Sequence, residues 1–237
     1  MPISVEAQQV TQEQGRRLFG AMYNPALPAH GPDHPATIAA NVLLEVEYCE
    51  EHDLMLTQAQ IIQLLRAAWG HDPKKDKPVP SGFDNHEAWA SRITYEELTR
   101  DGVDEDEALK SASLIPATSP VGPCRSIGQK ILRRADVRNV RDDYDFFDAT
   151  THDHYDEYVM PKECDIDGPG KLDLPQWFDE IACGRYLVPL LLVPDLTYGD
   201  FDRGLSGKAV GQEISFTQIQ RQRRSLGLEL FPKDFLG

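Results

Sequence analysis

Cysteine is scarce in this chain: Cys49, Cys124, Cys164 and Cys183 stand far apart and form no C-x-x-C pair. That spacing speaks against a disulfide framework or a zinc ribbon and for free thiols in a reducing compartment. Long apolar runs are missing as well. The longest, "YLVPLLLVP", is too short to span a bilayer and is broken by Pro189. The N-terminal "MPISVEAQQVTQEQ" lacks a basic stretch followed by an apolar one, so no secretory signal is read there. Period-two alternation of β-branched residues persists nowhere, and no internal repeat stands out. Positive charge is in short supply: 24 Lys and Arg face 39 Asp and Glu, for a net charge of −15. A field of that sign repels nucleic-acid polymers, although a local cation can reverse it inside a pocket. The expectation is a cytoplasmic protein with neither a membrane nor a nucleic-acid polymer as partner. The subunit count stays open, a homo-oligomer included.

What is present is helical periodicity. Residues 5 to 22 carry Val10, Leu18, Phe19 and Met22 at loosely helical spacing, ahead of the breaker run "NPALPAHGPD". Ile38, Val42, Leu43 and Val46 recur at three- and four-residue steps, which predicts a one-sided helix over 34–50. Thr57 and Gln60 form a capping-box pair opening "QAQIIQLLRAAW". Asp84 with Glu87, Asp104 with Glu107 and Ser126 with Gln129 repeat that spacing before further apolar segments. After about residue 145 the signal weakens. The fold class expected is all-α, with residues 1–145 as a helical domain and 146–237 as a C-terminal extension packed on it.

Within this plan four residues invite one explanation. "LLRAAWGHD" is apolar and then stops on His71-Asp72; "HGPDHP" sets His30 and His34 before another helix; "ILRRADVRNV" carries Asp136. Imidazole nitrogen and carboxylate oxygen are ligands for divalent first-row metals. Neighbouring residues on a helix project about 100° apart, so His71 and Asp72 can share an ion only off the helix end. His34 and Asp136 would reach the same point from two other helices, as in metal sites inside bundles. A shared cation would also satisfy carboxylates and imidazoles that burial otherwise penalises. Two His and two Asp make four ligands, leaving room on an octahedral ion for water and substrate.

H-x-x-x-H before one helix, His-Asp after an "AA" apolar run and a late Asp within "RADV" resemble the HD superfamily of metal-dependent phosphohydrolases. "DNHEAWAS" is similar to the D-N-x-E-x-x-(A/S) helix start of its small bacterial members. The resemblance covers about residues 15 to 145. It implies an HD-like helical bundle and ligation of one divalent ion (Mn, Co, Ni, Fe, Zn or Mg) by His34, His71, Asp72 and Asp136. His30 matches a catalytic acid in the pattern H-N-x-x-H, with Gly31 standing where that pattern has Asn. Glu87 matches a carboxylate that orients the attacking water, in competition with a capping role beside Asp84. Two-metal members carry extra histidines mid-domain; "LIPATSP" has Thr118 and Ser119 instead, and His86 alone cannot make a second site, which favours a single ion. The activity implied is hydrolysis of a phosphate ester or anhydride in a small metabolite, with a nucleotide as the leading candidate.

Cationic side chains that would clamp the phosphate are Lys74, Lys75, Lys77, Arg138 and Arg16 or Arg17. The rival readings are a hydratase or oxygenase on the same scaffold, and a non-catalytic binding module. "HDH" at 152–154 faces apart on a helix and is read as surface, as is "RQRR" near the C-terminus. "DIDG" resembles the start of a calcium loop but lacks its remaining ligands. Trp69, Trp89 and Trp177 are read as core, with Trp69 placed to wall a pocket.

Overall fold

Every regular element is a helix, and no strand occurs among the described residues, which are 4–160, 172–193 and 196–236 of a computed structural model. Cys164 and "DIDG" lie outside them. The described residues fall into two compact units, 4–136 and 137–236. The division therefore comes at Asp136 rather than near 145. No helix of the described chain is long and apolar enough to cross a membrane.

The first unit is arranged around α3 (Gln58–Trp69), which packs against α1 (Val5–Phe19), α2 (His34–Glu50), α5 (Glu105–Ala112) and α6 (Ile127–Asp136). Sequence explains this centrality: Ile61, Leu64, Leu65, Ala67, Ala68 and Trp69 are all buried, so α3 is apolar over most of its circumference. Its start is fixed by the full capping box of Thr57 and Gln60. The same device opens α6, where Ser126 and Gln129 exchange side chain-to-backbone bonds. At α4 (His86–Arg100) the cap is Asn85 rather than Asp84: its side chain accepts the Ala88 N–H at 2.9 Å. Asp and Asn cap about equally well, so backbone geometry decides between adjacent candidates. Glu87 is thus not the reciprocal partner of Asp84.

Two close approaches shape this unit. A Cβ on Gly15 would lie 2.2 Å from Cγ of Trp69, and one on Gly70 would lie 2.1 Å from Oγ1 of Thr94. Both glycines permit contacts that no larger residue could make.

The second unit carries its own core of Val140, Phe147, Trp177, Phe178, Cys183, Leu191 and Ile219. It is built from α7 (Tyr144–Val159), α8 (Leu174–Trp177), a π-helical stretch Phe178–Leu187 running into α9 (Val188–Leu192), and α10 (Val210–Ser225). Gln212 holds α9 to α10 by donating to the carbonyls of Leu190, Leu191 and Val193. His152 on α7 is half exposed and lies 4.0 Å from the Asp148 carboxylate.

Candidate metal centre

The apolar helix α3 stops where it does because Gly70 ends it, and the next two residues turn into the interior of the first unit. His71 is fully buried and Asp72 nearly so. The turn is pinned from two sides. The Tyr23 hydroxyl donates to the Trp69 carbonyl at 2.9 Å, and Thr94 Oγ1 donates to the Gly70 carbonyl at 2.8 Å. Asp136 is the last residue of α6, and that end is tied to α2. Asn41 donates to the Ala135 carbonyl at 3.0 Å, and the buried Arg134 pairs with Glu45 at 3.1 Å. His34 opens α2.

These elements bring His34, His71, Asp72 and Asp136 together. His34 Nε2 and His71 Nε2 are 3.0 Å apart, His71 Nε2 and Asp136 Oδ1 3.2 Å, and His71 Nε2 and Asp72 Oδ2 3.6 Å. Asp72 Oδ2 lies 3.9 Å from His34 Nε2 and 3.6 Å from His30 Nε2. Ligands about 2.1 Å from an ion are separated by roughly 3.0 Å at cis octahedral positions and roughly 3.4 Å at tetrahedral ones. The donor spacings fall about these values. Two overlapping groups, His34-His71-Asp136 and His30-His34-Asp72, are close enough to hold a metal ion. His71 Nδ1 faces the Ala68 carbonyl at 2.8 Å, which places the proton of a neutral ring on Nδ1 and leaves Nε2 as the ligand atom. The residues present fit a divalent cation.

Electrostatics agree. Burial alone would lower the His71 pKa, but the carboxylates of Asp72 and Asp136 override it and raise it to about 9. Burial alone would raise that of Asp72; Lys75, then His71, hold it well below the usual carboxylate range. The cluster favours positive charge at its centre.

His30 joins the cluster through Asp72. Gly31 has a packing reason for its identity: a Cβ there would lie 2.7 Å from the Leu27 carbonyl oxygen. Lys75 Nζ bonds Asp72 Oδ1 at 2.8 Å. Lys74 has a left-handed backbone, with φ of 58°, and its ammonium sits 5.9 Å above the Trp89 ring. Lys77 lies beside Asp76 at 3.5 Å. Glu87 is near enough for its charge to act on Lys75 and Arg133.

Other expected clamps are placed elsewhere. Arg17 forms a bidentate pair with Asp101 at 2.6 and 2.9 Å. Asp101 follows the C-terminus of α4, roughly 20 Å along that helix from its first residue, His86. Arg138 belongs to the second unit and lies 3.5 Å from Asp142. Trp69 does not wall the cluster openly: it is 2% exposed, stacked on Gly15, with Nε1–H donating to Gln12. The histidine-free stretch at Thr118 and Ser119 is closed by Arg133, whose guanidinium donates to the carbonyls of Ala117, Ser119 and Gly122.

Sequence reasoning missed Tyr23 and Thr94, and gave His86 no role. Tyr23 is aromatic and near the end of a helix, a pattern indistinguishable from ordinary core. Tyr23→Phe removes the buried donor to the Trp69 carbonyl, and the expected cost is about 1–2 kcal/mol in urea unfolding. Competitive chelator titration should show metal affinity falling about tenfold, as for other partners that orient ligands.

No protein-family model, curated protein or solved structure matches the chain.

Proposed function

We propose that the chain is a metal-dependent phosphohydrolase of HD type, acting on a phosphate ester or anhydride of a small metabolite, with a nucleotide as the leading candidate. The observation that carries this reading is the pair of overlapping groups at ligand spacing, His34-His71-Asp136 and His30-His34-Asp72, with an ammonium group beside Asp72. The order of these residues along the chain, and the "DNHEAWAS" helix start, add the resemblance to the HD superfamily.

A divalent ion held by the four residues would supply Lewis acidity and lower the pKa of water toward neutrality. The chain's own groups complete the site. Asp72 stays ionised through Lys75, and His71 keeps its ligand nitrogen inward through Ala68. Lys75 and Lys74 offset negative charge on the phosphoryl oxygens, as preorganised cations do in phosphoryl transfer. Glu87 is the carboxylate assigned to orient the attacking water, and His30, beside Asp72, the group assigned to the proton of the leaving oxygen. Lys75 also argues for a single ion, because its ammonium occupies the Oδ1 side of Asp72.

The test is phosphate release from nucleotides and simple phosphate esters, with Mn, Co, Ni, Fe, Zn or Mg added to metal-stripped protein. Turnover that requires metal and disappears in Asp136→Asn supports the reading. Metal-loaded wild type that is inert across the panel would overturn it.

A further inference from the structure

His86, the first residue of α4, has no place in either ligand group. Its ring is nonetheless turned toward the centre, with Nδ1 3.6 Å from Asp72 Oδ1. That is beyond hydrogen-bonding distance. Both ring nitrogens are shut off from solvent, and neither has a hydrogen-bond partner among the described residues. Buried polar atoms without partners are few in folded proteins, and each calls for an explanation. The ring is held in place by Trp89, edge to face at 5.7 Å between centroids.

Asp72 therefore has two chemically different sides. Oδ2 faces three imidazoles, His30, His34 and His71. Oδ1 faces the Lys75 ammonium and the His86 ring. A second cation on the Oδ1 side would have to displace Lys75. What suits a place beside an ammonium and an imidazole whose polar neighbour, Asp72, lies beyond normal hydrogen-bond length is an anion with hydrogen-bonding oxygens. The Lys75 side chain is 28% exposed and is thus the part of this side that meets solvent; the His86 nitrogens lie behind it.

We propose that His86 and Lys75 form a phosphoryl-binding pocket on the Oδ1 side of Asp72, and that its ligand is the terminal phosphoryl group of a monoester or anhydride. The inference rests on the phosphohydrolase reading. Its chemical basis is the count of oxygens. An ion held by the cluster would take one, leaving Lys75 for a second and His86 for a third. A terminal phosphoryl offers three unsubstituted oxygens, whereas a diester offers two. His86 is then a substrate-contacting residue and a determinant of monoester over diester specificity.

Inorganic phosphate is the probe, titrated calorimetrically into the full-length protein with and without added divalent metal. Dimethyl phosphate is the diester comparison, and metal content is measured in parallel. Wild type should bind phosphate and discriminate against dimethyl phosphate. His86→Ala should weaken phosphate binding at least about tenfold with metal content unchanged, and His86→Gln, which retains a donor, should recover part of it. Equal phosphate affinity in wild type and His86→Ala overturns the pocket, as does wild type that binds both probes alike or neither. Metal lost from His86→Ala also overturns it, since His86 would then be a ligand. Should His86→Ala lose its helical circular dichroism, the His86→Gln variant and the two-probe comparison on wild type still decide. Phosphate binding through His86 without hydrolysis of any ester would refute the activity and leave the pocket. Hydrolysis with phosphate affinity indifferent to His86 would do the reverse.

Discussion

If the proposed function holds, Asp72→Ala is expected to empty the candidate metal centre, with metal per chain falling from about one toward zero, and to abolish turnover. Asp72 faces His30, His34 and His71 through one oxygen and Lys75 through the other. Its removal takes away a ligand and the counter-charge of the neighbouring cations together. Phosphate release should fall on the order of 10³-fold, the scale on which loss of a preorganised electrostatic group acts. Stability should fall as well, by about 3 kcal/mol, because breaking a buried pair strands the surviving charge. Asp72→Asn separates the effects: it keeps the shape and a hydrogen-bond acceptor for Lys75 but not the charge. Elemental analysis and urea unfolding read the two consequences independently. An Asp72→Ala protein that retained its metal would remove Asp72 from the ligand set.

A second large effect is expected from a residue remote from the ligands in sequence. In Gly15→Ala the new methyl would fall 2.2, 2.4 and 2.6 Å from Cγ, Cδ1 and Cδ2 of Trp69. That indole is 2% exposed and anchored through Gln12, so it cannot step aside cheaply. Overpacking of this kind costs about 3 kcal/mol, and thermal unfolding should begin several degrees lower, roughly 6–12 °C for a chain of this size. The displacement should also reach the metal. The Trp69 carbonyl is the acceptor of Tyr23, one residue before Gly70, so metal affinity should fall together with stability. Gly20→Ala is the control: its Cβ would meet only Arg16 Cγ, at 3.8 Å, and it should be close to neutral in both measurements.

The helices and the candidate ligands were legible in the sequence for the same reason: both are written locally. Thr57 and Gln60 are three residues apart, and the box they form depends on nothing beyond their own turn. His71 and Asp72 announce themselves by interrupting an apolar run. The adjacent caps Asp84 and Asn85 show where local signals end, since either side chain could serve and the path of the preceding loop selects Asn85. Arg17 was a reasonable clamp by charge alone. Its partner Asp101 is 84 positions away, and only the packing of α1 near the end of α4 brings them together. Gly15, Tyr23 and Thr94 act through contacts of the same long-range kind and carry no periodic or spacing signature. His86 was visible but judged only as a ligand for a second ion. Its isolation from hydrogen-bond partners is a fact of three-dimensional packing.

The anchors of the His71-Asp72 turn have a consequence for how the protein would acquire an ion. Tyr23 and Thr94 grip the carbonyls of Trp69 and Gly70, and neither anchor is itself a ligand. In small zinc domains the ion organises the chain, and loading and folding are one event. Here the backbone around the cluster is held by contacts that need no ion, so loading would be a separate, later encounter. A newly made chain would then wait, already shaped, for whichever divalent ion the cell supplies first, and the occupant would record metal availability as much as ligand preference.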